Sequence, residues 1–276
     1  MVSQPHSSVR PKRGSTSTRP RFFAETIVII PALNEVDSVA TTVRRWLALG
    51  VGRVRVVDNG STDQTTAAAV EAGAEVMIET TRGYGAAAWR GLQDWPADYR
   101  WALFSSADGS DRLDADESFR WQVAVESGAE MIVGDRTASV ASRRRLKGIQ
   151  RWGNRAVCQV LEWGWARKLR DLGSLRLVRR DALERMRLQD RGFGWNVEMQ
   201  VRAWELGISV VEIPVLYYPR IAGESKISGN LWGTLRAGRG ILSVLFQVIL
   251  WRLRSSRRRH MDRRLAERKL LSASPK

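Results

Sequence analysis

Apolar positions along the chain fall into short runs that alternate with amphipathic stretches. Thr26-Ile27-Val28-Ile29-Ile30-Pro31 is a β-branched run stopped by proline, and Val36 to Leu49 carries Val39, Val43, Trp46 and Leu47 on one helical face. The unit then repeats. Val54-Arg55-Val56-Val57 reads as a second strand, followed by the polar turn Asp58 to Asp63 and an Ala-rich helix, Gln64 to Ala72, with Asp63 as its expected N-cap. Val76-Met77-Ile78 is a third strand, followed by Arg82-Gly83-Tyr84-Gly85 and a helix to Leu92. Trp101 to Phe104 is a fourth strand with a helix from about Leu113 to Ser127, and Met131-Ile132-Val133 is a fifth, ending at Gly134-Asp135-Arg136. A helix from Asn196 to Leu206 and a strand from Ile208 to Val215 follow later.

This alternation predicts an α/β fold of Rossmann-like type. Its central sheet is mostly parallel and covered on both faces, because parallel neighbours need crossover connections. The polar turns all follow strands, so they share the sheet edge where ligands bind in open α/β folds. Asn34, Glu35, Asp58, Asp63, Arg82 and Asp108 are therefore expected to converge. The focal stretch is Phe104-Ser105-Ser106-Ala107-Asp108-Gly109-Ser110-Asp111, a buried strand ending in small residues and two carboxylates. Two readings stand here: the aspartates cap the helix starting near Leu113, or they face a ligand.

Charge alters the picture through its distribution. The formal net charge is +16, of which residues 1–24 carry +5 and residues 252–276 carry +8, leaving about +3 for the middle. Basicity confined to the two ends, without interleaved base-stacking aromatics, argues against a nucleic-acid binder and suits an anionic membrane surface. Residues 1–24 read as a disordered basic leader with no apolar core of a signal peptide. Cys158 is the only cysteine, and both histidines lie in the ends, so an internal disulfide, a His/Cys zinc site and a histidine-based triad are excluded. Gly83 and Gly85 lack the third glycine of a dinucleotide fingerprint, and no phosphate loop of Gly-Lys-Ser/Thr type is present.

From Leu231 to Trp251 runs a largely apolar stretch of 21 residues interrupted by Arg236 and Arg239. Arginines at the centre of a span are costly, so residues 231–256 are expected to form amphipathic helices at a membrane interface, with Trp232 and Trp251 at headgroup level. Residues 257–276 are a basic tail, and residues 25–230 the catalytic domain.

Ile29-Ile30-Pro31-Ala32-Leu33-Asn34-Glu35, Val56-Val57-Asp58-Asn59-Gly60-Ser61-Thr62-Asp63, Arg82-Gly83-Tyr84-Gly85 and the turn at Asp108 resemble the nucleotide-sugar half of an inverting family 2 glycosyltransferase. Asp171-Leu172-Gly173-Ser174-Leu175-Arg176, Trp195-Asn196-Val197-Glu198-Met199-Gln200 and the segment Arg220 to Asn230 resemble the dolichyl/polyprenyl-phosphate mannose synthase group. The likeness covers roughly residues 26–240.

The resemblance implies a GT-A glycosyltransferase fold and a role for each matched residue. Pro31, Asn34, Glu35, Asp58, Gly60, Asp63, Arg82 and Gly83 would bind the donor, and Asp108, with Ser110, would hold Mg²⁺ or Mn²⁺ against its diphosphate. Arg220 and Lys226 would neutralise the leaving group, in a loop that closes over it. Arg136, Lys147, Arg151 and Asn154 would hold the acceptor phosphate. Glu198 would orient the sugar or act as base, with a buried partner for an arginine as its alternative. Two positions depart from the family: Ser106 stands where a first aspartate is expected, and Asn59 replaces a frequent second aspartate.

The expected function is transfer of a hexose, with inversion, from a GDP-mannose or UDP-glucose type donor to a polyprenyl phosphate. The expected location is cytoplasmic, peripheral or interfacial on the inner membrane face. Transfer to a soluble or glycan hydroxyl, and a catalytically degenerate nucleotide-sugar-binding scaffold, remain as alternatives.

Overall fold

The computed structural model of the chain describes residues 20–146 and 148–222, together with the helical positions 243, 246, 249 and 250. The elements run α1 (Arg21–Ala24), β1 (Thr26–Ala32), α2 (Val36–Ala48), β2 (Arg53–Asp58), α3 (Thr65–Glu71), β3 (Glu75–Ile78), α4 (Tyr84–Gly91) and β4 (Trp101–Phe104). Then come α5 (Ala115–Glu126), β5 (Met131–Asp135), α6 (Val140–Arg145), α7 (Gly148–Trp165), β6 (Arg176–Arg179), α8 (Arg180–Met186), α9 (Trp195–Glu205) and β7 (Val210–Pro214).

The seven strands form one sheet in the order β3-β2-β1-β4-β6-β5-β7. β1 pairs in parallel with β2 and β4, β2 with β3, and β5 with β7. β6 is the exception: it runs antiparallel between β4 and β5. The expected α/β fold with a mostly parallel sheet is therefore present, with one reversed strand that the hydrophobic pattern did not announce.

Successive side chains of a strand face opposite ways, and the core divides accordingly. Val28, Ile30, Val54 and Val56 pack under α2 and α5 with Val39, Val43, Trp46 and Trp121. Ile27, Ile29, Val57 and Phe104 pack on the other face with Ala87 and Ala88 of α4, and with Trp195 and Met199 of α9. A smaller cluster joins Val157, Cys158 and Leu161 of α7 to Val197, Val201 and Trp204 of α9.

Pro31 sits inside a central strand, where a missing N–H normally costs a ladder bond. The β1–β4 pairing ends at Ile29, and Pro31 faces that vacated side, so no bond is lost.

Three boundaries differ from expectation. The leader assigned to residues 1–24 ends earlier, because Phe22 and Phe23 stack at 4.3 Å between ring centroids and are buried in the core. Asp63 is not the N-cap of α3; Gln64 holds that position, and Asp63 instead bridges two turns. Nor do Asp108 and Asp111 cap the next helix, which begins at Ala115. Asp114 caps it, in a reciprocal capping box with Glu117. Lys147 and Lys226 lie outside the described residues, as does the basic tail 257–276; segment 231–256 is described only at four helical positions, where Phe246 and Ile249 are exposed.

Candidate active site

The carboxyl ends of β1, β2 and β4 carry the expected turns, and these bind one another. Asn34, in the left-handed region at φ 50°, accepts the Thr62 amide at 2.7 Å, while its own amide donates to the Ser61 hydroxyl at 2.9 Å. The Glu35 amide donates to the Thr65 hydroxyl, and Asp63 accepts the amides of Val36 and Thr65. Asp58 is buried at the tip of β2, with one oxygen taken by the Ser61 amide at 2.7 Å and the other by the Thr66 hydroxyl at 2.5 Å. Burial opposes the charge on Asp58, yet these hydrogen bonds hold its pKa below the usual carboxylate value. A donor at this edge shares Asp58 with its own turn.

Asn59 explains why an amide stands where an aspartate is frequent. Its Nδ2 donates to the carbonyls of Glu79 and Thr81 at 3.0 and 2.7 Å, and its Oδ1 accepts the Gly83 amide at 2.8 Å. A carboxylate can only accept, so it would repel both carbonyls. Gly60, at φ +86°, leaves room for the Arg82 guanidinium, which would lie 3.3 Å from any Cβ added there. Gly83, at φ +152°, passes so close to the Arg191 carbonyl that no Cβ fits.

The turn after β4 is the centre of the constellation. Asp108 Oδ1 accepts from the Ser106 hydroxyl at 2.8 Å and from the Ser110 amide and hydroxyl at 3.0 and 2.6 Å. Its Oδ2 accepts from Arg220 Nε at 2.7 Å, and Arg220 Nη2 reaches Glu35 Oε1 at 3.3 Å. Burial works against ionisation of Asp108, but the Ser110 hydroxyl and amide and the Arg220 guanidinium keep its pKa below the ordinary value. The segment carrying Arg220 is docked here by backbone as well, the Ile221 amide donating to the Asp108 carbonyl at 3.0 Å.

Asp111 lies deeper. It accepts the Ser106 amide and the Ser174 hydroxyl, both at 2.8 Å, and burial followed by the neighbouring Asp108 charge pushes its pKa up to about 6. Arg136 stands on the same side, but its guanidinium is held by Asp171 in a bidentate pair at 2.7 and 2.8 Å. Burial alone would weaken the charge on Arg136; the Asp171 carboxylate reverses that and raises its pKa.

Asn34, Glu35, Asp58, Gly60, Asp63, Arg82, Gly83, Asp108, Ser110 and Arg220 are thus joined by contacts around one edge, next to Pro31 at the tip of β1. Three others lie away from these contacts. Glu198 Oε2 accepts the amides of Gln189 and Asp190 at 2.9 and 2.7 Å, and Oε1 lies 4.0 Å from Arg202. Its carboxylate thus anchors a loop, and among the described residues no hydrogen bond joins it to Asp108 or Asp111. That loop supports the donor turn, since the carbonyls of Gly192 and Arg191 accept the amides of Gly85 and Ala86. Asn154 spends both ends of its amide on the Leu172 amide and the Arg170 carbonyl, tying α7 to the segment that carries Asp171. Arg151 is exposed on α7.

The site includes two residues to which the sequence reading gave no role, Asp171 and Ser174. Asp171 and Ser174 stood in a quoted motif, Asp171-Leu172-Gly173-Ser174, which is the signal that marks them.

A divalent cation fits this donor set. Among the described residues no group of three or more His, Cys, Asp or Glu could hold a metal, but magnesium-type ions use one or two carboxylates and complete their shell with substrate phosphates. Asp108, with the hydroxyls of Ser106 and Ser110 on one of its oxygens, offers such a hard-oxygen set. No helix among the described residues is long and apolar enough to cross a membrane.

Comparison with known proteins agrees with this geometry. An uncharacterized glycosyltransferase of Mycobacterium tuberculosis is 34% identical over 216 residues, 76% of this chain and 93% of that protein. The undecaprenyl-phosphate mannosyltransferase of Micrococcus luteus is 30% identical over 227 residues, covering 75% of this chain and 89% of that one. The polyprenol monophosphomannose synthase of Mycolicibacterium smegmatis is 29% identical over 246 residues, 83% and 87%. Among solved structures, glucosyl-3-phosphoglycerate synthase from Mycobacterium tuberculosis, in complex with Mn²⁺, UDP-glucose and phosphoglyceric acid, superposes with a TM-score of 0.63 at 19% identity, covering 85% of this chain and 83% of that one. That likeness places the fold among GT-A glycosyltransferases. Residues 27–187 match the family described as glycosyl transferase family 2, and with strand-tip turns and acidic turn arranged as above, the chain belongs to that family and is a glycosyltransferase.

Proposed function

We propose that the enzyme transfers a hexose, with inversion, from a GDP-mannose or UDP-glucose type donor to a polyprenyl or dolichyl phosphate at the cytoplasmic face of a membrane. The observation that carries the reading is the bracketing of the acidic turn by cations: Arg220 on Asp108 and Glu35, and Arg136 beyond Asp111. The two named lipid-phosphate relatives support the acceptor.

The nucleoside of the donor lies along Pro31, Asn34, Glu35 and Asp58, with Arg82 over Gly60 facing its phosphates. Arg220 exchanges the carboxylates of Asp108 and Glu35 for the incoming diphosphate, an exchange of one anion for another that leaves its charge paired. Lys226, six residues further along the sequence, is assigned the same duty. Asp108 with Ser110 would hold Mg²⁺ or Mn²⁺, which when bound would neutralise charge on the diphosphate leaving group. An acceptor phosphate is already largely ionised near neutral pH, so its oxygen attacks the anomeric carbon without a strong base while the bond to the nucleoside diphosphate breaks. Lys147 and Arg151 orient that phosphate, with Arg136 fixed in place by Asp171 and with Asn154 holding the segment that carries Asp171.

The test is transfer of labelled hexose to a short polyprenyl phosphate by the full chain in detergent, across UDP- and GDP-hexoses with and without Mg²⁺ or Mn²⁺. A chloroform-extractable labelled lipid is expected. Absence of transfer from every donor overturns the reading.

A further inference from the structure

We infer that the solvent face of α7 docks on anionic lipid headgroups, with Trp152 and Trp163 as its two anchors. The inference deepens the lipid-acceptor reading and rests on it. Both indoles are conspicuously bare, Trp152 67% and Trp163 79% exposed, while the opposite face of α7 is satisfied by Val157, Cys158 and Leu161 against α9. Eleven residues separate the two, which places them about 20° apart around the helix axis and about 17 Å apart along it. They therefore lie on one stripe, and Arg155 and Gln159, also exposed, lie between them.

The charge around the stripe is one-sided. Residues 141–170 contain nine Lys and Arg against the single acid Glu162, a net +8. Since the whole middle of the chain carries only about +3, the remainder of the domain is acidic, and basicity is not confined to the ends. Arg143 and Arg144 of α6, Arg151 and Arg155 of α7, and Arg167 and Lys168 just after it are all exposed, as is Glu162. Tryptophan rings at headgroup depth with arginines reaching phosphates is the chemistry of an interfacial helix lying in the membrane plane. Basic residues near an anionic surface each add roughly 1 kcal/mol of attraction. Through Asn154, the same helix is bonded to the segment that carries Asp171 and so to Arg136, which puts the docked surface beside the proposed acceptor-phosphate groups.

The experiment places an environment-sensitive dye on the full chain at Trp152→Cys or Trp163→Cys, with Glu71→Cys on exposed α3 as reference. Cys158 is buried and its thiol pushed up to about 12, so it stays unlabelled. With mixed phosphatidylcholine–phosphatidylglycerol vesicles, the dyes at 152 and 163 should shift to the blue and become shielded from aqueous iodide, while the dye at 71 does neither. Pure phosphatidylcholine should give a smaller shift. Vesicle binding without any shift at 152 and 163 overturns the inference and assigns binding to the chain ends; so does failure to bind vesicles at all. Equal protection of both dyes by a nucleic-acid duplex would overturn it in favour of a general polyanion surface. Transfer in detergent separates the two readings: lipid product without dye insertion sinks only the docking surface, and insertion without lipid product sinks only the acceptor.

Discussion

The strand-tip edge and the α7 flank are joined through residues 170–174, yet they are built on opposite principles. At the edge, nearly every polar group is bonded to another group of the same protein: Asn34 to Ser61 and Thr62, Asp58 to Ser61 and Thr66, and Asn59 to Glu79, Thr81 and Gly83. On the flank, Arg151 and Arg155 stand in solvent on the same helix as two exposed indoles, and Arg143 and Arg144 of the preceding helix are exposed as well. A soluble nucleotide-sugar must be held in one orientation, which rewards preorganised groups whose ordering cost is met on folding. An extended surface asks for charge and apolar rings without fixed geometry. Arg136 belongs to the first kind although it was expected among the acceptor contacts of the second, because Asp171 fixes it.

The largest effect is expected where the two regions meet. Asp171→Ala leaves the Arg136 guanidinium buried without its partner, which costs about 3–5 kcal/mol, read as a lower denaturant midpoint. Burial opposes the charge on Asp171, Arg136 overrides it, and the carboxyl titrates below its ordinary value. Its contribution is therefore full above about pH 4 and lost as pH falls through the depressed value. A thermal midpoint in the parent that does not drop more steeply with acid than in Asp171→Ala would break the comparison.

Asp108→Asn keeps the shape of the acidic turn and removes the charge that Arg220 and a cation answer to. Transfer should fall by about 100-fold to 1,000-fold, as for loss of one preorganised charge-stabilising group, with a loss of stability of about 1–3 kcal/mol because the amide nitrogen cannot accept from Arg220. A variant as active as the parent would remove Asp108 from the reaction.

Asn59→Asp tests the edge more gently. Two carbonyls lose their donor, at a cost of about 1–3 kcal/mol, and the KM for the donor should rise as the Arg82-Gly83 turn loosens. If the extra carboxylate instead tightens metal-dependent donor binding, the structural reading of Asn59 fails. At the small end, Arg151→Ala should leave stability within about 0.5 kcal/mol of the parent and raise only the KM for the lipid phosphate. A loss of stability there would show the flank to be as bonded as the edge.

Much of this was legible beforehand because it is local. Alternating runs and turn chemistry determine strands, helices and the side of the sheet on which the turns emerge, so the convergence of Asn34, Asp58, Asp63 and Asp108 followed from topology alone. A further local signal lies in the sequence: Asp114 with Glu117 three residues on spells a capping box, which leaves Asp108 and Asp111 free of the capping role. The charge strip at 141–170 was likewise countable, hidden by summing the whole middle of the chain.

Other features belong to tertiary structure. The strand β6 is four residues long and bounded by arginines, and Arg176 is wholly buried there, its guanidinium bonded to the carbonyls of Gly173 and Asn196, a compensation no hydrophobic pattern displays. Which carboxylate answers which cation is equally non-local: Arg136 finds Asp171 across 35 residues, and Arg220 finds Asp108 across 112. The sequence determined which chemical groups stand at the edge, since strand period and turn residues act over a few positions. Only the folded chain decided which of them are spent on one another and which remain exposed, because pairing depends on distance in space and on the desolvation that burial imposes.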